Sequence, residues 1–421
     1  MTAGVVRRVG GVAAHRVSTA HLQAAYPFVC DGGLGARGVL IGREVLGGAF
    51  CYDPFTLYGD GVLTNPNMLV AGQVGRGKSA FVKTYLWRQR VFGRRAWVVD
   101  PKGEYGPLAA ACGVTPLRLG PGSPVRLNPL DAAPGGGGGW DRDELLRRRV
   151  GLLASLAASA LGRPLGPAEH AAVELALRAA SNSSSEPTLP AVVHALLYPT
   201  ADAAAELACT PTQVAADGRA VALELRRLCQ GDLAGMFDAP TSPGIDLDAD
   251  LVVLDLSAVY DSPALGLLML CATAWLQAAL TRTGHGQRII VVDEAWAILR
   301  DLQTARWLQA SYKLCRRYGV ANIAVVHRLS DLRAVGADGS EQARLAEGLL
   351  SDSETHVLYQ QPADVVAASR DPLDLTDAEA DLLRRLGRGQ ALWRVGERRF
   401  HVHHLLSPAE TAIVDTDTRM H

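Results

Sequence analysis

Short apolar runs, each cut off by a glycine or a charge, recur along this chain. They include 68–71 (MLVA, then Gly72), 96–99 (AWVV, then Asp100), 250–259 (DLVVLDLSAV) and 287–296 (QRIIVVDEAW). Three more apolar stretches are 319–329 (GVANIAVVHRL), 354–360 (ETHVLYQ) and the long 389–405 (GQALWRVGERRFHVHHL), and most of the later runs are followed by helix-like segments. Runs of four to eight residues rich in Val and Ile read as strands buried on both faces. Alternation of such strands with helical segments predicts an α/β fold, with a parallel sheet covered by helices. Residues 1–65 differ. They combine glycine with short apolar runs, as in GVLIGREVLGGAFCYDPF, and predict a β-rich segment of hairpins.

Between the second and third runs the pattern becomes helical. Residues 141–238 are rich in Ala, Leu and Arg and carry no strand pattern, so an all-α insertion is expected. Five consecutive glycines at 135–139 mark its leading boundary, because such a run holds regular structure only at high entropic cost. The expected division is 1–65 as the N-terminal β-rich segment, 66–138 as the first part of the core, 139–240 as the insertion, and 241–421 as the second part of the core. The uncharged run from Ala264 to Leu280 contains Gln277 and falls short of a comfortable membrane span, so it is read as a core helix.

Composition narrows this picture. Apolar residues make up 48% and charged residues 20%, which fits a folded core and excludes a disordered chain. A net charge of −1 gives no bulk support for nucleic-acid binding. Local arginine clusters at 87–95 (WRQRVFGRR), 147–149 (RRR) and 384–388 (RRLGR) are candidates for a DNA or protein channel, or else solvated faces. Seven scattered cysteines without a C-x-x-C pair suit reduced thiols in the cytoplasm. The N-terminus lacks a signal peptide's apolar core, so any position at the cytoplasmic face of a membrane is expected through partners. His401 and His403 share a strand face, but no cysteine or carboxylate completes a metal set with them.

The chemistry starts at GQVGRGKS, which is Gly72, Gln73, Val74, Gly75, Arg76, Gly77, Lys78 and Ser79, with Ala80 following in the next helix. Glycines here let backbone N–H groups curl toward phosphate oxygens, and the helix that follows adds its positive end. Lys78 carries charge to the β- and γ-phosphates of ATP, and the Ser79 hydroxyl is a ligand for Mg²⁺. A glycine turn that merely precedes Lys-Ser would need neither the strand before it nor the helix after it. RIIVVDEAW supplies a second anchor. Asp293 at the strand end suits the Mg²⁺ shell, and Glu294 suits a base that polarises the attacking water. The same acid pair would also start a helix well.

Taken together, VVDPKGEY (98–105), RLNPLD (126–131), VVDEAW and the helical insertion resemble the HerA–FtsK superfamily of hexameric pumps. Within it, they resemble the ATPases of conjugation and type IV secretion, over residues 35–405. The resemblance implies a RecA-like P-loop ATPase with a mostly parallel central sheet. It implies a homohexamer that moves DNA or protein, with a membrane complex built from separate subunits. It also implies that an arginine near Arg316 and Arg317 reaches the neighbouring subunit's ATP. His327 stands where the family usually has glutamine. Asp100 and Glu104 either organise Lys102 at the phosphate edge or cap the next helix. Because the P-loop starts at Gly72, the large N-terminal domain usual in secretion ATPases is not expected. Two other readings stay open: a HerA-like DNA pump in repair or chromosome handling, and a nucleotide-dependent scaffold with little hydrolysis.

Overall fold

In a computed structural model of the chain the described residues are 33–45, 48–131, 141–231, 233–246, 249–262, 265–280, 286–299, 302–330, 340–371 and 373–414. The glycine run 135–139 and the first part of the expected N-terminal hairpins lie outside them.

The strands are β1 (Val39–Glu44), β2 (Ala49–Tyr52), β3 (Met68–Ala71), β4 (Arg95–Asp100), β5 (Leu117–Arg118), β6 (Leu251–Asp255), β7 (Arg288–Val292), β8 (Val320–Val326), β9 (Thr355–Leu358), β10 (Gln390–Val395) and β11 (Arg398–His404). They form one sheet in the order β2-β1-β11-β10-β9-β3-β8-β7-β4-β6-β5. From β9 to β5 all pairings are parallel. From β9 to β2 all are antiparallel. The α/β expectation holds, and the long run 389–405 resolves into the hairpin β10–β11, which turns the sheet antiparallel.

Alternate residues of each central strand feed opposite faces. Leu69, Ala71, Trp97, Val99, Ile290 and Val292 belong to one apolar cluster. Met68, Val70, Val98, Ile289, Val291 and Val325 belong to the other. This period of two explains why the runs are apolar throughout, since neither side faces water.

Between β5 and β6 the described chain is helical, over Arg142–Leu161, Pro167–Ser183, Leu189–Leu197, Ala201–Glu206 and Pro211–Gln230. Thr200 and Thr210 cap two of these helices through their hydroxyls, and Pro167, Leu189-Pro190 and Pro211 open helices at a position where a missing N–H costs nothing. Their apolar faces join the cluster on the first side of the sheet. Helix Leu265–Leu280 lies in the same cluster, with Leu268, Met269, Cys271, Ala272, Trp275 and Leu276 buried, as expected of a core helix. No helix among the described residues is long and apolar enough to cross a membrane.

Many arginines of the basic clusters are tied within the chain. Arg88 pairs with Glu410 (2.6 Å), Arg90 with Asp250 (3.1 Å) and Arg94 with Asp53 (3.0 Å). Arg148 donates to the carbonyl of Ala274 (2.7 Å) and Arg149 to that of Leu130 (2.6 Å). The first five hold elements together, whereas Arg384 is bound to Asp381 within one helix.

Candidate active site

Strand register builds the site. Ala71 lies opposite Val326 on β8 and Leu358 on β9, so Gly72, His327 and Tyr359 leave neighbouring strand ends together. Val292 on β7 lies opposite Ala324 on β8 and Val99 on β4. Asp293 N donates to Val99 O (3.2 Å) and Ala295 N to Val325 O (3.0 Å), which locks the tip of β7 between its neighbours. The phosphate-type loop, Asp293 and Glu294, His327, and the Asp100–Tyr105 turn therefore share one edge of the sheet.

Gly75 and Gly77 take positive φ (76° and 110°), a conformation in which glycine carries no Cβ penalty. Gly72 needs its missing side chain for space, because a Cβ there would lie 2.4 Å from Tyr359 Cβ. The outer side of the loop is held by Gln73 N donating to Gln360 O (3.1 Å) and by Gly389 N donating to Arg76 O (3.0 Å). Val74 is exposed. Helix Lys78–Gln89 starts directly after Gly77 and carries Ser79 and Ala80 in its first turn. Lys78 Nζ donates to the carbonyls of Gly72 and Gln73. Burial lowers its pKa to about 8, against the pull of Asp293 and Glu294.

Asp293 is buried, and its carboxylate accepts from Glu294 N (2.9 Å). Burial, then the charges of Glu294, Asp100 and Glu104, push its pKa up to about 7. A divalent cation is the kind of charge that would relieve such a crowd of acids. Glu294 occupies the left-handed region (φ 53°), which costs a non-glycine residue about 1–3 kcal/mol and recurs at functional sites. Its Oε1 lies 2.8 Å from His327 Nε2 and accepts from Lys102 Nζ, while Trp296 Nε1 donates to Oε2. Burial would raise its pKa, but the hydrogen bonds from His327, Lys102 and Trp296 prevail and hold it at about 2.

The 98–105 stretch has a definite role in this geometry. Asp100 is buried and accepts from the backbone N–H groups of Lys102 (3.2 Å), Gly103 (2.9 Å), Glu104 (3.2 Å) and Tyr105 (2.9 Å). The carboxylate thus folds the turn that presents Lys102 to Glu294. Gly103 has φ 69° and packs against Ser257, where a Cβ would come within 3.0 Å of Oγ. Of the two readings of Asp100, the one that organises Lys102 matches these contacts.

Arg316 and Arg317 stand apart. Both are exposed at the end of helix Leu302–Tyr318, just before β8 begins. The length of β8, about 20 Å, separates them from His327 and the loop edge. Arg317 pairs with Glu144 at 3.3 Å. His401 is partly buried and His403 exposed, whereas His404 accepts from Trp393 Nε1 (2.8 Å) and bonds Tyr359 OH (2.6 Å) behind the loop. Among the described residues no cluster of His, Cys, Asp or Glu could hold a metal by itself.

Lys102 was legible only as a neighbour of Asp100. Trp296 and Tyr359 were not singled out at all. Trp296 falls inside the DEAW run, and Tyr359 follows a strand whose register with β3 no local pattern reveals.

No protein-family model matches the chain, and no curated protein does. Solved structures do. VirB4 of Thermoanaerobacter pseudethanolicus superposes with a TM-score of 0.72 at 23% identity, covering 90% of this chain and 100% of that one. The unbound bacterial conjugative coupling protein TrwB gives 0.54 at 15% identity over 81% of this chain and 85% of that one. The plasmid coupling protein TrwB in complex with ADP and Mg²⁺ gives 0.52 at 16% identity, with the same coverage. The chain has the RecA-like P-loop fold of VirB4 and of the conjugative coupling protein TrwB.

Proposed function

We propose that the chain is the ATP-hydrolysing motor of a conjugation or type IV secretion-like system, coupling hydrolysis to translocation of DNA or protein. One observation carries this reading: the Gly72–Ser79 loop, the Asp293–Glu294 pair and His327 meet on adjacent parallel strand ends. The relatives in fold support it, since TrwB is described as a coupling protein and was solved with ADP and Mg²⁺.

In this reading the loop amides and Lys78 hold the β- and γ-phosphates. Ser79 and Asp293 hold Mg²⁺, which supplies charge compensation when bound. Glu294 accepts the proton of the attacking water, and His327, whose Nε2 lies 2.8 Å from Glu294 Oε1, orients that carboxylate toward the water and the γ-phosphate. Arg316 and Arg317 lie too far from their own chain's loop to help there. In this reading one of them serves a neighbouring subunit's phosphate in a ring, with six subunits by the likeness to hexameric pumps. Attachment to the cytoplasmic face of a membrane through separate subunits belongs to the same reading.

The test is ATP turnover by the purified chain, with and without DNA, beside Lys78→Ala and Glu294→Gln. Turnover in the parent and its loss in both variants is expected. A parent that neither binds nor hydrolyses ATP ends the proposal.

A further inference from the structure

Both carboxylate oxygens of Glu294 are engaged in the described state. Oε1 receives Lys102 and His327, and Oε2 receives Trp296. A carboxylate has about four acceptor sites and three are taken here, two of them on Oε1, so the loss of a charged donor would open Oε1 and make Glu294 a stronger base for the attacking water. Trp296 is two residues away in the same turn, and His327 is fixed at the end of β8. Lys102 differs from both. It is a compact charge on a flexible four-carbon stem, whereas the comparably exposed His327 ring (30% against 26%) sits on a short, stiff one. Its Nζ lies 3.2 Å from His327 Nε2 and 5.9 Å from the centre of the Tyr260 ring. Its charge is felt at Lys78, so it stands within reach of the same phosphate-facing cluster.

We propose that Lys102 is a positioning residue that senses a terminal phosphate. It holds Glu294 while no γ-phosphate is present, and a triphosphate draws the ammonium away and leaves Glu294 Oε1 for the water. No covalent bond changes in this step; an ion pair moves from carboxylate to phosphate. The Asp100 carboxylate is what aims the turn at both partners. Without Lys102 an arriving γ-phosphate meets the Glu294 charge uncompensated, whereas ADP brings no such charge. The proposal rests on the assignment of Gly72–Ser79 as the triphosphate loop.

The experiment measures binding, not turnover. A non-hydrolysable β,γ-imido ATP analogue and ADP, each with Mg²⁺, are titrated calorimetrically into the parent, Lys102→Met, Lys102→Gln and Lys102→Arg. The expected result is a tenfold or greater loss of analogue affinity in Lys102→Met and Lys102→Gln, with ADP affinity within twofold of the parent. Lys102→Arg should recover most of the loss. If Lys102→Met fails to fold, Lys102→Gln, which keeps a donor for Glu294, carries the comparison. A parent that binds neither nucleotide overturns the functional reading and this inference together. A parent that binds both, beside neutral variants that keep its ATP-to-ADP preference or lose both affinities equally, overturns the inference alone.

Discussion

Glu294 concentrates the chemistry of single residues. Held near a pKa of about 2 by His327, Lys102 and Trp296 against its own burial, it remains a carboxylate at neutral pH. An amide in its place cannot take a proton, so Glu294→Gln should lower kcat by about 100-fold or more while the ATP dissociation constant stays within a few-fold. Steady-state turnover beside equilibrium titration separates the two effects. A second residue-scale outcome concerns Gly72. The Cβ of Gly72→Ala would press on Tyr359 Cβ (2.4 Å) and Cα (3.2 Å), both on a buried strand end. Displacing Tyr359 or the loop should weaken ATP binding at least tenfold, and unchanged affinity in a titration would count against the packed loop. Lys78, Asp293 and Glu294 can be proposed from the sequence because spacing within a few residues defines their motifs. Lys102 was not, because its partner follows β7 and only the β4–β7 register brings the two together.

At the scale of elements, the central strands were legible because burial on both sides leaves no polar alternation to confuse them. β5 escaped notice, since two residues carry no pattern. The run 389–405 read as one stretch, and only pairing shows that it doubles back at Gly396, which has φ 54°. The antiparallel flank has its own weak point at Gly42. A Cβ there would lie 2.0 Å from His403 O, beside the irregularity between Leu40 and Gly42 where β1 meets β2. Gly42→Ala should therefore cost about 1–3 kcal/mol through overpacking and separate β1 from β11. Chemical denaturation of parent and variant measures the cost, and amide exchange across 39–44 locates it.

For the whole molecule, buried neutral histidines link stability to pH. Burial lowers His356 to about 4, against its bond with the Leu350 carbonyl, and lowers His404 to about 3. Below about 6.5 the unfolded chain binds protons at these positions and the folded chain does not, so each contributes a loss of stability as pH falls from about 6.5 toward 4. Asp100 and Asp293, raised by burial to about 6 and about 7, act in the opposite sense over an overlapping range. The informative quantity is thus a difference. Relative to the parent, His356→Gln should gain up to about 3 kcal/mol between pH 6.5 and pH 4, read from denaturation at each pH. Assembly supplies another whole-molecule test. Subunits with Arg316→Ala or Arg317→Ala, mixed with Glu294→Gln subunits, create interfaces that join an intact glutamate to an intact arginine. Recovered turnover in verified mixed rings is expected if either arginine serves a neighbour, and none is expected otherwise.

The order of strands also sets a timetable. β3 is flanked in the sheet by β8 and β9, and β4 by β6 and β7. The ribosome must add roughly 250 residues after Ala71 before it reaches Val320 and β8 can pair. At about 5–20 residues per second that is on the order of 12 to 50 seconds. Throughout that interval the apolar strand ahead of the phosphate loop has neither neighbour, and it is open to chaperones and proteases. A nascent chain halted before Val320 carries the whole GQVGRGKS sequence and still has no site to bind with.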